Sequence, residues 1–332
     1  MKKSLTALAV AAAISVPAIA SADASWYGRA HVSGEMWKDQ EAAVVGASQR
    51  ANSIGIKGAV DTNLMDFKAV YKLEAGMVLN DTSGLVKQRD TFVGLSSKSL
   101  GTVRAGVMGS PWKGTTKAVD SMFTTSFEGR GGLKLTSGLA DGTGAGKGRA
   151  IDSIMYTTPN IAGLKANAMM TFVDGAANNM AFNAVYKMKG ITAFFDYLSK
   201  GDGATDKDGK ASAGTAMKFG GKYSMSGIHI ALQHEIDGGA MTGKSDDNTK
   251  AVTFINAGYT MGATMFGLSY GMTSESAKDA KNDHAAWAVY AKHKLDKKAM
   301  IYAGYGAASG GDNSAYAGDG TNVLAGGLSI KF

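Results

Sequence analysis

From Trp26 to Phe332 the chain is a succession of short stretches in which apolar and polar residues alternate, and nothing else in it limits the fold as strongly. A period of two is the period of a strand. In the first stretch Trp26, Gly28, Ala30, Val32, Gly34 and Met36 share one face, and Arg29, His31, Ser33 and Glu35 the other. Ile54, Ile56, Gly58 and Val60 oppose Ser53, Lys57 and Ala59; Phe67, Ala69, Tyr71 and Leu73 oppose Lys68, Lys72 and Glu74. Similar stretches follow at 164–172, 191–197 and 228–236, with less regular ones near Thr253, Thr264, Trp287 and Ile301, for about 16 strands in all. A sheet with one apolar and one charged face separates either hydrocarbon from water or a protein core from solvent.

The connections discriminate between those two walls. They alternate in length: 38–49, 78–88, 108–148, 201–210, 237–249, 273–283 and 306–321 are long, while 61–66, 96–101, 158–163, 188–190, 224–227, 260–263 and 295–298 are short. Only 174–179 breaks the rule. Outer-membrane barrels have short periplasmic turns and longer extracellular loops, whereas a soluble sandwich has no reason to sort its connections. The long loops are rich in Asp, as at Asp206, Asp208, Asp246, Asp247 and Asp312. That is a solvated face, or a surface that bridges to lipopolysaccharide phosphates through divalent cations. In lipid every backbone group must be paired, so such a sheet must close. A barrel of eight strands is filled by its own side chains, and one of about 16 leaves an aqueous lumen. Charged side chains lining that lumen bias which ions enter.

The N-terminus supplies the route to the membrane. Lys2 and Lys3, the apolar run 5–16 and Ala20-Ser21-Ala22 have the form of a secretory leader, with cleavage expected after Ala22. Residues 23–332 are then the barrel domain, and the net charge of +7 falls to +5 without the two lysines. The chain has no Cys, which excludes disulfides, thiol catalysis and Cys-based zinc sites. The Gly-rich 141–148 lacks the spacing and the Ser or Thr of a phosphate loop. His229 and His234 point to opposite faces of one strand, and His31 faces the lumen. The bases are dispersed, so no nucleic-acid partner is expected, and no cofactor or metal site is indicated. No motif supports a Ser-His-Asp hydrolase, although barrel enzymes exist as an alternative class.

The longest interruption, 108–148, is too long to be an ordinary connection and is flanked by strands at 90–95, 102–106 and 151–157. The string RDTFVGLSSKSLGTVRAG from Arg89, then Ser110-Pro111, then RAIDSIMYTTPNIAGLKA from Arg149 resembles the Gram-negative general porins, particularly the neisserial and beta-proteobacterial type. The resemblance covers about 310 residues, with specific motifs at 89–111, 149–164 and 295–332. It implies an all-β transmembrane antiparallel barrel, a homotrimer, and a third extracellular loop folded inward to constrict a channel for small hydrophilic solutes and ions. A substrate-selective channel would differ only in its lumen side chains.

Strand parity places Arg104 in the lumen with Thr102 and Gly106, and likewise Lys57, Lys68 and Lys72. The resemblance adds Arg149 to this basic side of the constriction. The acidic side is expected from the long loop, at Asp120 and Glu128, with Arg130 nearby. Arg104 and Arg149 then either set a transverse field or pair with loop carboxylates and hold the loop down. The family has a second Arg where this chain has Val107, followed by Met108, so the basic wall is weaker and the anion preference at most mild. Phe332, a terminal aromatic on an alternating strand, resembles the signal read by the outer-membrane barrel assembly machinery.

Overall fold

A computed structural model describes residues 24–37, 43–44, 52–77, 79, 87–129, 149–173, 177–201, 213–238, 250–275, 284–309 and 322–332. The strands are β1 Ser25–Trp37, β2 Ala43–Val44, β3 Ser53–Asp61, β4 Lys68–Gly76, β5 Lys87–Ser97, β6 Gly101–Gly109, β7 Arg149–Thr157, β8 Leu164–Thr171 and β9 Asn179–Met188. They continue as β10 Ile191–Lys200, β11 Gly214–Met225, β12 Ile228–Gly238, β13 Lys250–Met261, β14 Thr264–Glu275, β15 His284–Lys294, β16 Ala299–Ser309 and β17 Asn322–Lys331. One helix, α1 Pro111–Val119, follows β6. From β3 onward each strand pairs antiparallel with the next, β1 pairs with β3 from Ser25↔Lys57 to Arg29↔Ser53, and β1 closes the sheet on β17 from Arg29↔Lys331 to Trp37↔Val323. The two-residue β2 is a fragment beside β1, which leaves a closed wall of 16 full strands. The last residue completes the seam: Phe332 N–H donates to Gly28 O at 3.2 Å, and Gly28 N–H to Phe332 O at 3.1 Å.

The barrel is inside-out relative to a soluble protein. Val93 is 64% exposed and Tyr259 55%, while Gln233 and Asn256 are 0% exposed. Alternation therefore sends apolar side chains outward to lipid and polar ones inward. Both packed apolar clusters form around the segment that follows β6. One joins Val119, Met122 and Phe127 to Phe254, Tyr290 and Tyr302; the other joins Met108 and Trp112 to Met155, Met169 and Leu198. Helix α1 packs on β8 to β12. It starts where Ser110, in extended conformation, accepts from Lys113 N–H at 3.4 Å and Pro111 occupies the first turn, which has no backbone partner to lose.

The structure shifts several expected boundaries. Met108 and Gly109 belong to β6, so the long connection begins at Ser110, and it is described only as far as Gly129. Strands extend into stretches expected as loops at Lys87, Gly238, Glu275 and Ser309. The expected leader with its cleavage at Ala22, and Arg130, lie outside the described residues.

Candidate functional site

Two groups of lumen side chains organise the interior. The first lies on the wall from β3 to β7. Lys72 Nζ is 2.9 Å from Asp90 Oδ2 and 3.1 Å from Glu74 Oε2. Arg149 Nε donates to Asp90 Oδ1 at 2.7 Å, and its Nη2 lies 3.8 Å from Glu74 Oε1. Arg89 Nε donates to Glu74 Oε1, and the Tyr27 hydroxyl to Glu74 Oε2 at 2.8 Å. The β4–β5 register shifts between Leu73 and Ala75, and the β6–β7 register between Gly106 and Met108. Such bulges re-aim side chains, which here turns Arg89 onto Glu74 and Arg149 onto both Glu74 and Asp90.

Three cations thus share two carboxylates. Lys57 and Arg104 stand beside them with no carboxylate in contact among the described residues. Lys57 Nζ sits 5.4 Å from the Tyr27 ring centre. The Arg104 guanidinium lies 5.3 Å over Phe92 and donates through Nη2 to Thr157 Oγ1 at 3.0 Å. Both open onto a cavity of about 460 Å³ that Lys72, Tyr71 and Thr102 also line.

The second group ties residues 110–129 to the other side of the wall. Lys218 Nζ donates to Trp112 O at 2.6 Å and Thr116 Oγ1 at 2.7 Å, and lies 4.5 Å over the Trp112 ring. Asp196, 3.9 Å from Lys218, accepts from Thr115 Oγ1 at 2.7 Å. Past the helix, Ser121 meets the Tyr290 hydroxyl at 2.6 Å, and Lys292 Nζ donates to Ser121 O at 2.8 Å. Arg29 Nη1 donates to Thr124 Oγ1 at 2.7 Å, and Ser126 Oγ to Glu35 Oε1 at 2.7 Å.

The predicted residues divide accordingly. Arg104, Arg149, Lys57 and Lys72 gather on one wall. Lys68 does not join them: it pairs with Asp61 at 3.0 Å at the short-turn rim, both side chains well exposed. Asp120 accepts from Met122 and Gly129 N–H, each at 2.9 Å, and Glu128 from Thr124 N–H at 2.7 Å, so both carboxylates brace the loop's own backbone. The carboxylates that hold Arg149 are Glu74 and Asp90 instead, on the wall itself. Sequence reasoning missed these two, and also Lys218, Asp196, Arg29 and Lys292 as loop anchors. Parity with Lys72 and Phe92 was the available signal for Glu74 and Asp90.

Comparison with known proteins agrees with this architecture. The family model described as Gram-negative porin matches residues 7–313. The chain is similar to the major outer membrane protein P.IB of Neisseria gonorrhoeae. One alignment is 30% identical over 190 residues, covering 54% of this chain and 51% of that protein. Another, to a protein of the same description, is 25% identical over 340 residues and covers 92% and 93%. Among solved structures, the anion-selective porin from Comamonas acidovorans shares the fold with a TM-score of 0.72 at 18% identity, covering 93% of this chain and 99% of that one. Salmonella typhi OmpF, in complex with daunomycin, does so with a TM-score of 0.73 at 14% identity, covering 93% and 97%. OmpT of Vibrio cholerae in its trimer form gives 0.67 at 14% identity, covering 93% and 99%.

Proposed function

The chain belongs to the Gram-negative porin family and forms an outer-membrane diffusion channel; we propose that its solutes pass between residues 110–129 and the wall from β3 to β7, under a mildly anion-favouring field. The observation that carries this is the uneven pairing of lumen charge. On that wall Lys72, Arg89 and Arg149 face Glu74 and Asp90, and Lys57 and Arg104 add two positive charges beside the cavity. Fixed charges act on passing ions in proportion to how little of their field is cancelled nearby. Asp120 and Glu128 accept from loop N–H groups and brace the loop, and neither forms an ion pair with Arg104 or Arg149 among the described residues.

A homotrimer, contact with lipopolysaccharide, export on a leader removed after Ala22 and assembly through Phe332 belong to the same proposal. The trimer form of a neighbour with the same fold supports the first. The place of Phe332 at the closing seam suits a residue that is read during assembly. No catalytic role is proposed, because the family match and the fold are those of a channel. The experiment is reconstitution into a planar bilayer under a salt gradient. Conductance steps in threes with a reversal potential slightly on the anion side are expected. A reversal potential on the cation side would overturn the charge assignment, and conductance in single steps the trimer.

A further inference from the structure

Like Lys57 and Arg104, two lumen lysines near the short turns of β9 and β11 have no carboxylate in contact among the described residues. Lys72, Arg89, Arg149 and Lys218 each have a carboxylate within 4 Å. Lys187 on β9 and Lys222 on β11 have none among the described residues. In the ladder both stand opposite Thr192 on β10, as the pairs Thr192↔Lys187 and Thr192↔Lys222. All three point inward: Lys187 shares parity with buried Asn183, Lys222 with buried Lys218, and Thr192 with buried Phe194. Adjacent strands lie about 4.8 Å apart, so the two lysine backbones are about 10 Å apart with the Thr192 hydroxyl between them. That span lets two flexible ammonium groups close on one ligand. Lys222 is within electrostatic reach of Lys187, and His229 and Lys292 continue the basic row beyond it. Two unneutralised cations held side by side on a wall of low dielectric repel, and an anion bound between them removes that repulsion.

We propose that Lys187, Thr192 and Lys222 form an anion subsite on the short-turn side of the lumen, on the wall away from Arg104. Its ligand is a multivalent oxyanion with two negative groups able to reach both ammonium ions while the Thr192 hydroxyl donates between them. The inference rests on the channel reading, and its test separates the two. The full chain is recorded in planar bilayers in potassium chloride, with pyrophosphate as the probe. Pyrophosphate is expected to block, more deeply at the polarity that drives anions inward from the short-turn mouth. The K187Q/K222Q variant should need about tenfold more pyrophosphate or higher for the same block, a change of about 1.4 kcal/mol. The K297Q/K298Q variant, altered in an exposed turn, should block like the parent. Equal block in K187Q/K222Q and parent, or no block of the parent at about 10 mM, a concentration that would mean affinity weaker than about 3 kcal/mol, overturns the subsite while leaving the channel. Absence of conductance in potassium chloride alone from folded protein overturns the channel reading instead. If the variant does not fold, pyrophosphate should protect Lys187 and Lys222 of the parent from acetylation, and leave Lys297 and Lys298 unprotected; uniform labelling overturns the subsite.

Discussion

Lys218 is the residue on which the loop segment most depends. Its side chain and that of Asp196 are both fully buried, and its ammonium group is satisfied by the Trp112 carbonyl and Thr116 hydroxyl of α1. Removing one partner of a buried pair leaves an uncompensated charge and costs about 3–5 kcal/mol. Lys218→Ala should therefore lower the unfolding temperature of the detergent-solubilised barrel and raise single-channel conductance as α1 detaches. The K218M/D196L double variant should recover most of the stability without the conductance of the parent, because replacing both charges by apolar groups removes the desolvation penalty. A smaller effect is expected at Asp66, in the turn between β3 and β4. The Ser97 hydroxyl, at 2.8 Å, holds the Asp66 carboxyl below its usual value; desolvation opposes it, and smaller contributions from Ser99 and Lys98 N–H add to the lowering. A depressed carboxylate stabilises the fold above its unfolded value, near 4, and loses that contribution as pH falls through the folded value. Asp66→Asn should thus migrate as a less heat-resistant species than the parent at pH 7, with the difference shrinking as the pH falls through the folded value of Asp66. Parity alone assigned Arg104 and Lys72 to the lumen. It could not assign their partners, because which carboxylate an Arg meets is decided by bulges in β4–β5 and β6–β7 that leave no mark on the alternation.

At the scale of elements, β6 holds a backbone bend that only glycine fits. Gly106 has φ +129°, and a Cβ there would sit 2.5 Å from Thr91 O. The same stretch turns Arg104 to Thr157 and Met108 to the cluster around Trp112. A side chain at Gly106 must undo the bulge or push β5 away, at a cost of about 1 kcal/mol or more. Gly106→Ala should lower the unfolding temperature and reduce anion preference together, since Arg104 loses its aim; a change in stability with reversal potential untouched would separate the bulge from the field. The strands themselves were legible where large apolar residues alternate with charge, as in β1 and β12. They were poorly legible in β15, where Ala286 and Ala288 face inward and Ala285, Val289 and Ala291 occupy the other parity. Ala suits either environment, so hydropathy gives such a strand no sides. Helix α1 was only faintly legible: Ser110-Pro111 is a helix-start signal and Trp112, Thr115, Thr116 and Val119 recur at helical spacing, but two of those four are Thr, so the buried face does not read as an apolar stripe.

At the scale of the whole molecule, closure was written in the sorted connections, and charge balance was not. The sequence carries +7, yet that sum does not say which bases are cancelled. The structure separates them: Arg149 and Lys72 are held by Asp90, whereas Lys57 and Arg104 face the cavity without a carboxylate in contact among the described residues. The proposed anion preference should therefore depend on the second pair more than on the first. K57Q/R104Q is expected to bring the reversal potential close to zero, because it removes the two cations that no carboxylate contacts and leaves three bases held by two acids. Lys72→Gln should move it less, with Arg149 still pairing Asp90. The effect should also fade with salt. The screening length is about 10 Å at 0.1 M and about 3 Å at 1 M, so a wall charge governs ions across a lumen of ordinary porin width only in the dilute case. Permeability ratios measured in the parent at 0.1 M and 1 M should converge toward unity at the higher concentration. A ratio that stayed constant would mean that discrimination arises from direct contact at a narrow point rather than from the field of Lys57 and Arg104.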